Sequence, residues 1–381
     1  MRFTIAQSLG EVDPAAWDAC AGAANPFVGH AFLHALEASG SATTRTGWQP
    51  VHALVHDDHG TLQAAAPAYA KSHSWGEYVF DHGWADAYER AGGRYYPKLQ
   101  VAVPFTPVPG PRLLLRPGAA EPARALLADG LVELARRHRL SSLHVTFCRA
   151  EEAEALRAQG FLVRRGLQYH WHNRGYVDFE AFMASLRSAK RKMIRRERRQ
   201  VEEAGLEISC HHGPGLAEDA LAAFYPFYLA TVDKRWGQAY LTAEFFARLG
   251  RTMADRVVLF LARDRTGRTV AAALNLLGVD TLYGRIWGAL DDFRFLHFEL
   301  CYYRAIEFAI ARGLATVEAG AQGTHKVQRG YAPVSTWSAH WIADPGLRRA
   351  VARFLDSEAV QIAAEAAELE AALPYRRAGE A

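Results

Sequence analysis

Cysteine is scarce in this 381-residue chain: Cys20, Cys148, Cys210 and Cys301 are widely scattered and form no CxxC pair. That excludes a disulfide framework and a zinc knuckle, and it fits a reducing compartment. No HExxH or comparable spacing accompanies the sixteen histidines, so no metal is expected, even at His211-His212. A Walker A loop is also missing, because Gly320-Ala-Gln-Gly-Thr-His-Lys326 lacks the spacer that ends in Gly-Lys-Ser/Thr, and ATP hydrolysis is not supported. No apolar run reaches membrane-spanning length. The start, Met1-Arg-Phe-Thr-Ile-Ala6, has neither the apolar stretch nor the cleavage site of a signal peptide, so a cytoplasmic protein is expected. Net charge is only +3, which by itself makes no case for a polyanionic partner.

What is present is core material. Half of the residues are hydrophobic and 22% are charged, enough for packed cores, and the length suits two domains. An internal echo organises them. VHALVHDDHGTLQAAA at 51–66 returns as VLFLARDRTGRTVAAA at 258–273, with Asp57, Gly60 and Ala64 matching Asp264, Gly267 and Ala271 at a constant offset of 207. Each copy reads as a β-hairpin with a polar Asp/Gly turn. The first is followed by a helix over Pro122–Arg139 and a strand over Ser142–Phe147. The second is followed by a strand over Thr281–Leu290, a helix over Glu299–Arg312 and a strand over Ala315–Glu318. Two related α/β units are expected, with a boundary near Asn173.

The most site-like stretch is Glu318-Ala-Gly-Ala-Gln-Gly-Thr-His-Lys326, continuing through Arg329-Gly330-Tyr331. It crowds a carboxylate, an amide, an imidazole and two cations between glycines, just after a strand. Glu318 or His325 can accept an amine proton, Lys326 can stabilise an oxyanion or pair with a carboxylate or phosphate, and Gln322 can orient an acyl group. His297 and Glu299 form a second cluster at a helix start, where Glu299 is equally well read as a capping carboxylate. Cys301 in that apolar segment reads as packing. A third cluster, with Asp81, Trp84, Tyr95, Tyr96 and Lys98, lies in an aromatic-rich insertion and suits either a ligand groove or an ordinary core. Arg285 and Trp287 share one side of a strand and are further substrate-binding candidates, with Arg329 and Tyr331.

Several of these runs carry a resemblance. Ser74-Trp-Gly-Glu-Tyr-Val-Phe-Asp81, Tyr95-Tyr-Pro-Lys-Leu-Gln100, Leu296-His-Phe-Glu-Leu-Cys-Tyr-Tyr303 and the Glu318–Tyr331 motif resemble those of the FemAB-like peptidoglycan biosynthesis/recognition family, over nearly the whole chain. The resemblance implies an α/β fold of tandem GNAT-like domains, each a mixed, mainly antiparallel sheet flanked by helices. The expected layout is a first domain at 1–173 with the insertion at 77–107, a second at 174–345 with a basic helix at 180–204, and a C-terminal helix and tail at 346–381. It also implies amide-forming acyl transfer, related to enzymes that move aminoacyl groups from aminoacyl-tRNA to cell-wall precursors.

The donor is read from two features. Acetyl-CoA-using GNAT domains hold pyrophosphate with a glycine-rich loop before a helix. The equivalent place here, Asp291-Asp-Phe-Arg-Phe-Leu-His-Phe-Glu299, has no glycine and three acidic groups, and Pro109–Gly118 has glycines without the spacing. The run RSAKRKMIRRERR at 187–199 offers Arg187, Lys190, Arg191, Arg195 and Arg198 to a phosphate backbone, although a solvated helix or an anionic membrane contact fits the same charges. The related aminoacyl-tRNA-dependent enzymes carry a similar stretch. The expectation is a cytoplasmic N-acyltransferase with no tightly bound cofactor, using an activated donor, preferably aminoacyl-tRNA, and a small-molecule or peptide amine acceptor. An acyl-CoA-dependent enzyme with an unusual loop and a non-catalytic recognition protein are the alternatives.

Overall fold

The computed structural model describes residues 1–119, 121–213, 216, 220–234, 237–320 and 323–376. The two echoed hairpins close with the same turn. Asp57 Oδ1 accepts from the backbone of His59 and Thr61, both at 2.9 Å, and Asp264 Oδ1 accepts from Thr266 and Arg268 at 2.9 and 3.1 Å. Gly60 and Gly267 then donate back to the aspartate carbonyls with φ of 82° and 84°, which glycine adopts without strain.

Contacts divide the chain into two compact units, Met1–Gly166 with Ser335–Ala363, and Leu167–Val334 with Ala364–Ala381. Neither is a single stretch of sequence. The helix Pro345–Ala371, expected as a separate C-terminal piece, is shared between them.

In the first unit the strands are β1 (Arg2–Ala6), β2 (Trp48–Pro50), β3 (His52–His56), β4 (Leu62–Ala66), β5 (Ala68–Lys71), β6 (Lys98–Val101), β7 (Leu114–Leu115) and β8 (Ser142–Cys148). One antiparallel sheet has the order β1-β3-β4-β7. A second set runs β2-β5-β6-β8, with β6 and β8 parallel. The helix Glu121–Arg137 precedes β8 and buries Ala123, Leu127, Ala128, Leu131 and Ala135, one stripe at helical spacing, against strand residues such as Val55, Ala64, Leu99 and Val145. Truncating Leu131 to alanine there costs about 2–5 kcal/mol.

The second unit receives the end of β9 (Leu162–His172) and contains β10 (Glu207–His212), β11 (Val257–Arg263), β12 (Thr269–Leu277), β13 (Thr281–Ala289) and β14 (Thr316–Glu318). β10 to β13 are antiparallel neighbours, β13 and β14 are parallel, and β14 pairs with β9. β15 (Ala332–Ile342) leads back, and its Trp337–Ile342 segment pairs with β8 in the first unit. β12 is buried along Val270–Leu276, as its apolar run, broken only by the internally bonded Asn275, requires of a strand covered on both faces. The connection from β13 to β14 enters through Phe295 at φ 65°, makes a π-helical turn at Glu299–Tyr303 and continues as the α-helix Arg304–Ala311. Such turns are rare and are frequent at functional sites. The basic segment, expected as one helix, is two: Phe179–Ala184 and Ser188–Glu203, broken at Ser185–Arg187.

Candidate active site

β14 ends on Glu318, 8% exposed, at the edge of the parallel pair. The motif then turns into a 3-10 helix at Thr324–Arg329 that carries His325, Lys326 and Arg329. His325 is exposed and hydrogen-bonded through Nε2 to the Tyr302 hydroxyl at 2.9 Å. Partial burial, with the Lys326 and Arg329 cations, pushes its pKa down, so the imidazole is neutral at neutral pH. Burial pushes the Tyr302 phenol far up, so it stays protonated. Lys326 is buried; its ammonium donates to the Gly320 carbonyl at 3.0 Å and lies 5.5 Å from the Tyr169 ring centre. Gln322 lies outside the described residues.

His170 on β9, which the sequence reading passed over, belongs to this group. Its Nε2 is 3.7 Å from Glu318 Oε1, and burial together with the His172 and Lys326 charges lowers its pKa to about 3. The signal was the pairing of β9 with the motif strand, which places His170 opposite Glu318. His297 joins by ring contacts, 5.3 Å from both Tyr302 and Trp287 and 6.2 Å from His325. Arg285, like Trp287, is half-buried on β13.

Other predicted residues have structural partners. Arg329 is buried and bonded to Glu197, to the Tyr303 hydroxyl and to the His325 carbonyl. Glu299 is buried between Arg198 and Arg304, at 3.0 and 2.8 Å. Tyr331 is fully buried 5.4 Å from the Tyr302 ring. Of the five cations assigned to a phosphate backbone, Arg187 and Arg191 donate to the carbonyls of Leu373 and Leu186, Lys190 to Gln328, and Arg198 to Glu299 and Glu307. Arg195 is exposed and bridges to exposed Glu180 at 2.8 Å. The helix shows solvent a different set, Lys192, Arg195, Arg196 and Arg199, at spacings of three and four.

The first unit holds the third cluster in a buried network. Lys98, fully buried, donates to Ser74 and Glu77 at 2.7 Å each and to Asp81. The Tyr95 hydroxyl donates to Asp81 at 2.8 Å, and Tyr96 is bonded to Ser74 at 2.8 Å. Trp84 packs 5.0 Å from His340, which is bonded to His144 at 2.7 Å. Burial moves Lys71 down to about 7 and Glu77 up to about 7, while Lys98 and His144 help hold Asp81 far below the usual carboxylate range against its own burial.

Several amides of the glycine-bearing loop are bonded internally. In Pro109–Gly118 the Gly110 amide donates to Phe147, the Arg112 and Leu113 amides to Glu152, and the Arg116 amide to Gln63. The Arg112 side chain is spent on the carbonyls of Thr146, Pro111 and Val108. In the second unit Asp291 pairs with Arg268. Among the described residues, no group of His, Cys, Asp or Glu is disposed to hold a metal ion.

Two units that each join a parallel strand pair through a helix define a tandem GNAT-like fold, and His325, Tyr302 and Lys326 stand beside the second pair. The fold is that of FemX, at 12% identity over 92% of this chain and 100% of that one with a TM-score of 0.57. It is also that of L-PGS from Bacillus licheniformis, at 9% identity over 84% and 95% with a TM-score of 0.50. A conserved protein of unknown function from Bacteroides thetaiotaomicron VPI-5482 shares it, at 11% identity over 90% and 100% with a TM-score of 0.54. No curated protein matches the sequence significantly. The FemAB-like family, peptidoglycan biosynthesis/recognition, matches residues 8–377, and the chain belongs to it.

Proposed function

We propose that the protein is a cytoplasmic N-acyltransferase that moves an aminoacyl group from aminoacyl-tRNA to the amine of a peptide or cell-wall precursor, with no tightly bound cofactor. The observation that carries this reading is the neutral His325, hydrogen-bonded to Tyr302 and adjacent to Lys326, at the end of the parallel strand pair. When the Tyr302 oxygen accepts from Nε2–H, the Nδ1 lone pair is left to take a proton from the attacking amine. The amine nitrogen bonds to the acyl carbon, and Lys326 balances the charge on the carbonyl oxygen. The ester C–O bond then breaks, and the proton passes to the leaving ribose oxygen. Glu318 and His170 lie on the neighbouring strands, where they orient the amine; Trp287 and His297 line the acyl group.

The family's description as peptidoglycan biosynthesis/recognition supports a cell-wall acceptor. The outward cations Lys192, Arg195, Arg196 and Arg199 support a polyanionic donor. An acyl-CoA donor is the second reading, disfavoured by the internally bonded amides of Pro109–Gly118. The test supplies a charged tRNA pool or a panel of acyl-CoAs with a nucleotide-linked muramyl peptide and detects the amide product by mass. Product from charged tRNA, lost by about 10²–10⁴-fold in His325→Ala, is expected. Product from acyl-CoA alone overturns the donor, and binding of the peptide without product from either donor makes the protein a recognition module.

A further inference from the structure

Buried apolar faces are ordinary, whereas a buried polar face costs free energy unless its groups are bonded. One face of the first unit's sheet is of the second kind. Neighbouring strands set Lys71 opposite Lys98, Gln100 beside His144, and His144 beside His340, and all five are 1% exposed or less. The opposite face of these strands presents Leu99, Val101, Leu143 and Val145 to the apolar core.

The polar face is only partly satisfied. Glu77 and Asp81 each give one carboxylate oxygen to Lys98 Nζ, which brings the two carboxyl groups together. Their other oxygens, Glu77 Oε1 and Asp81 Oδ1, have no hydrogen-bond partner, nor has Gln100 Oε1 on the strand that carries Lys98. Lys71 makes one long bond, 3.3 Å to the Trp75 carbonyl, and stands 3.9 Å from Glu77 Oε1. Three buried acceptor oxygens without donors ask for a group that brings several N–H bonds, and an ammonium brings three.

We propose that this face is a binding site for a small primary amine, its ammonium held by Glu77 and Asp81 with Gln100 as the third acceptor, and that the segment at 72–81 is its cover. The amine's positive charge balances the second carboxylate, which Lys71 serves only from a distance. With burial leaving Lys71 and Glu77 both near 7, an added cation also keeps Glu77 ionised. The cover turns Ser74, Glu77 and Asp81 inward and leaves Trp75 and Phe80 outside, 59% and 61% exposed. Tyr78 between them has φ 60°, a strained value for a non-glycine residue, as found in segments that switch between positions. Glu77, Asp81 and Gln100 belong to the first unit and His325 to the second.

The full-length protein is titrated with methylammonium chloride, glycine and sodium acetate, each against sodium chloride at equal ionic strength, by calorimetry and thermal melting. Methylammonium and glycine are expected to bind and raise the melting temperature while acetate does neither. Glycine binding tighter than methylammonium identifies an amino acid as the ligand, its carboxylate on Lys71, and that advantage then disappears in Lys71→Met. Glu77→Gln keeps the shape and the Lys98 contact and is expected to weaken amine binding at least about tenfold. Gln100→Leu, which touches no ion pair, gives a weaker loss should Glu77→Gln fold poorly. His325→Ala leaves amine binding unchanged. No heat and no stabilisation with either amine, or equal effects from acetate, or unaltered affinity in folded Glu77→Gln, overturns the site.

Discussion

Arg329 grips Glu197 with one guanidinium nitrogen 2.7 and 2.8 Å from the two carboxylate oxygens, while its Nε donates to Tyr303 at 3.0 Å. Its planar face lies 3.5 Å from the Phe298 ring centre. Both charged partners are buried, so removing either leaves the other uncompensated. Glu197→Gln and Arg329→Ala are each expected to lose about 3–5 kcal/mol in urea unfolding. Arg329→Lys recovers little, because an ammonium cannot reproduce the fork or the stacking. An Arg329 variant of full stability with raised KM would instead return this residue to substrate binding.

The His325–Tyr302 couple makes a kinetic prediction. The base must be neutral, and its pKa is lowered by burial and by Lys326 and Arg329. The acid limb of kcat/KM is therefore expected below the ordinary histidine value of about 6.5. Tyr302→Phe frees the ring and is expected to lower kcat by about tenfold or more with little change in KM. A limb that stays in place when Lys326 is changed to methionine would count against this assignment.

Acid should destabilise the fold early. His144 and His170 have pKa values lowered to about 3, and His340 is also held well below the usual value, in each case chiefly by burial. Above about pH 6.5 these histidines are neutral whether the chain is folded or not, so they add no pH dependence. Below it the unfolded chain takes up protons that the folded one refuses, and stability falls with pH down to about 3. Each such group is expected to cost about 2 kcal/mol between pH 7 and 5, read from urea midpoints.

The basic helix offers a separation of roles. Neutralising Lys192, Arg196 and Arg199 together should weaken tRNA binding and flatten its salt dependence by about two to three ions, leaving the melting temperature in place. Arg198→Gln should do the reverse, since Glu299 and Glu307 then keep only Arg304 of their two cations. Equal affinity for tRNA in the triple variant would remove this face from the donor reading.

The fold was legible because the duplicated hairpins rest on local rules: an Asp side chain that bonds the amides two and four residues on, and a glycine that closes the turn. The candidate site is a motif in the sequence, but its geometry is not written there. His325 and Lys326 lie close in sequence to Glu318, but His170 reaches Glu318 through strand pairing, and Tyr302 reaches His325 from a helix. The inward or outward sense of the basic helix also depends on tertiary partners: Glu299 and Glu307 claim Arg198, and no charge count along the sequence separates it from Arg199. Lys71 carries no such sign, because nothing local says that a lysine on a short strand will be sealed beneath an aromatic segment.

The return of β15 to the first unit also limits how the protein can be dissected. A chain stopped after Gly166 lacks Trp337–Ile342, the strand that pairs with β8. It would present the bare edge of a β-rich segment to its own copies, an invitation to aggregation. Nor does the remaining piece, beginning at Leu167, have anywhere to put its own Ser335–Ala363. Cutting the gene at the apparent repeat boundary is thus expected to yield two insoluble fragments, and co-expression of both is the arrangement in which either should be recovered.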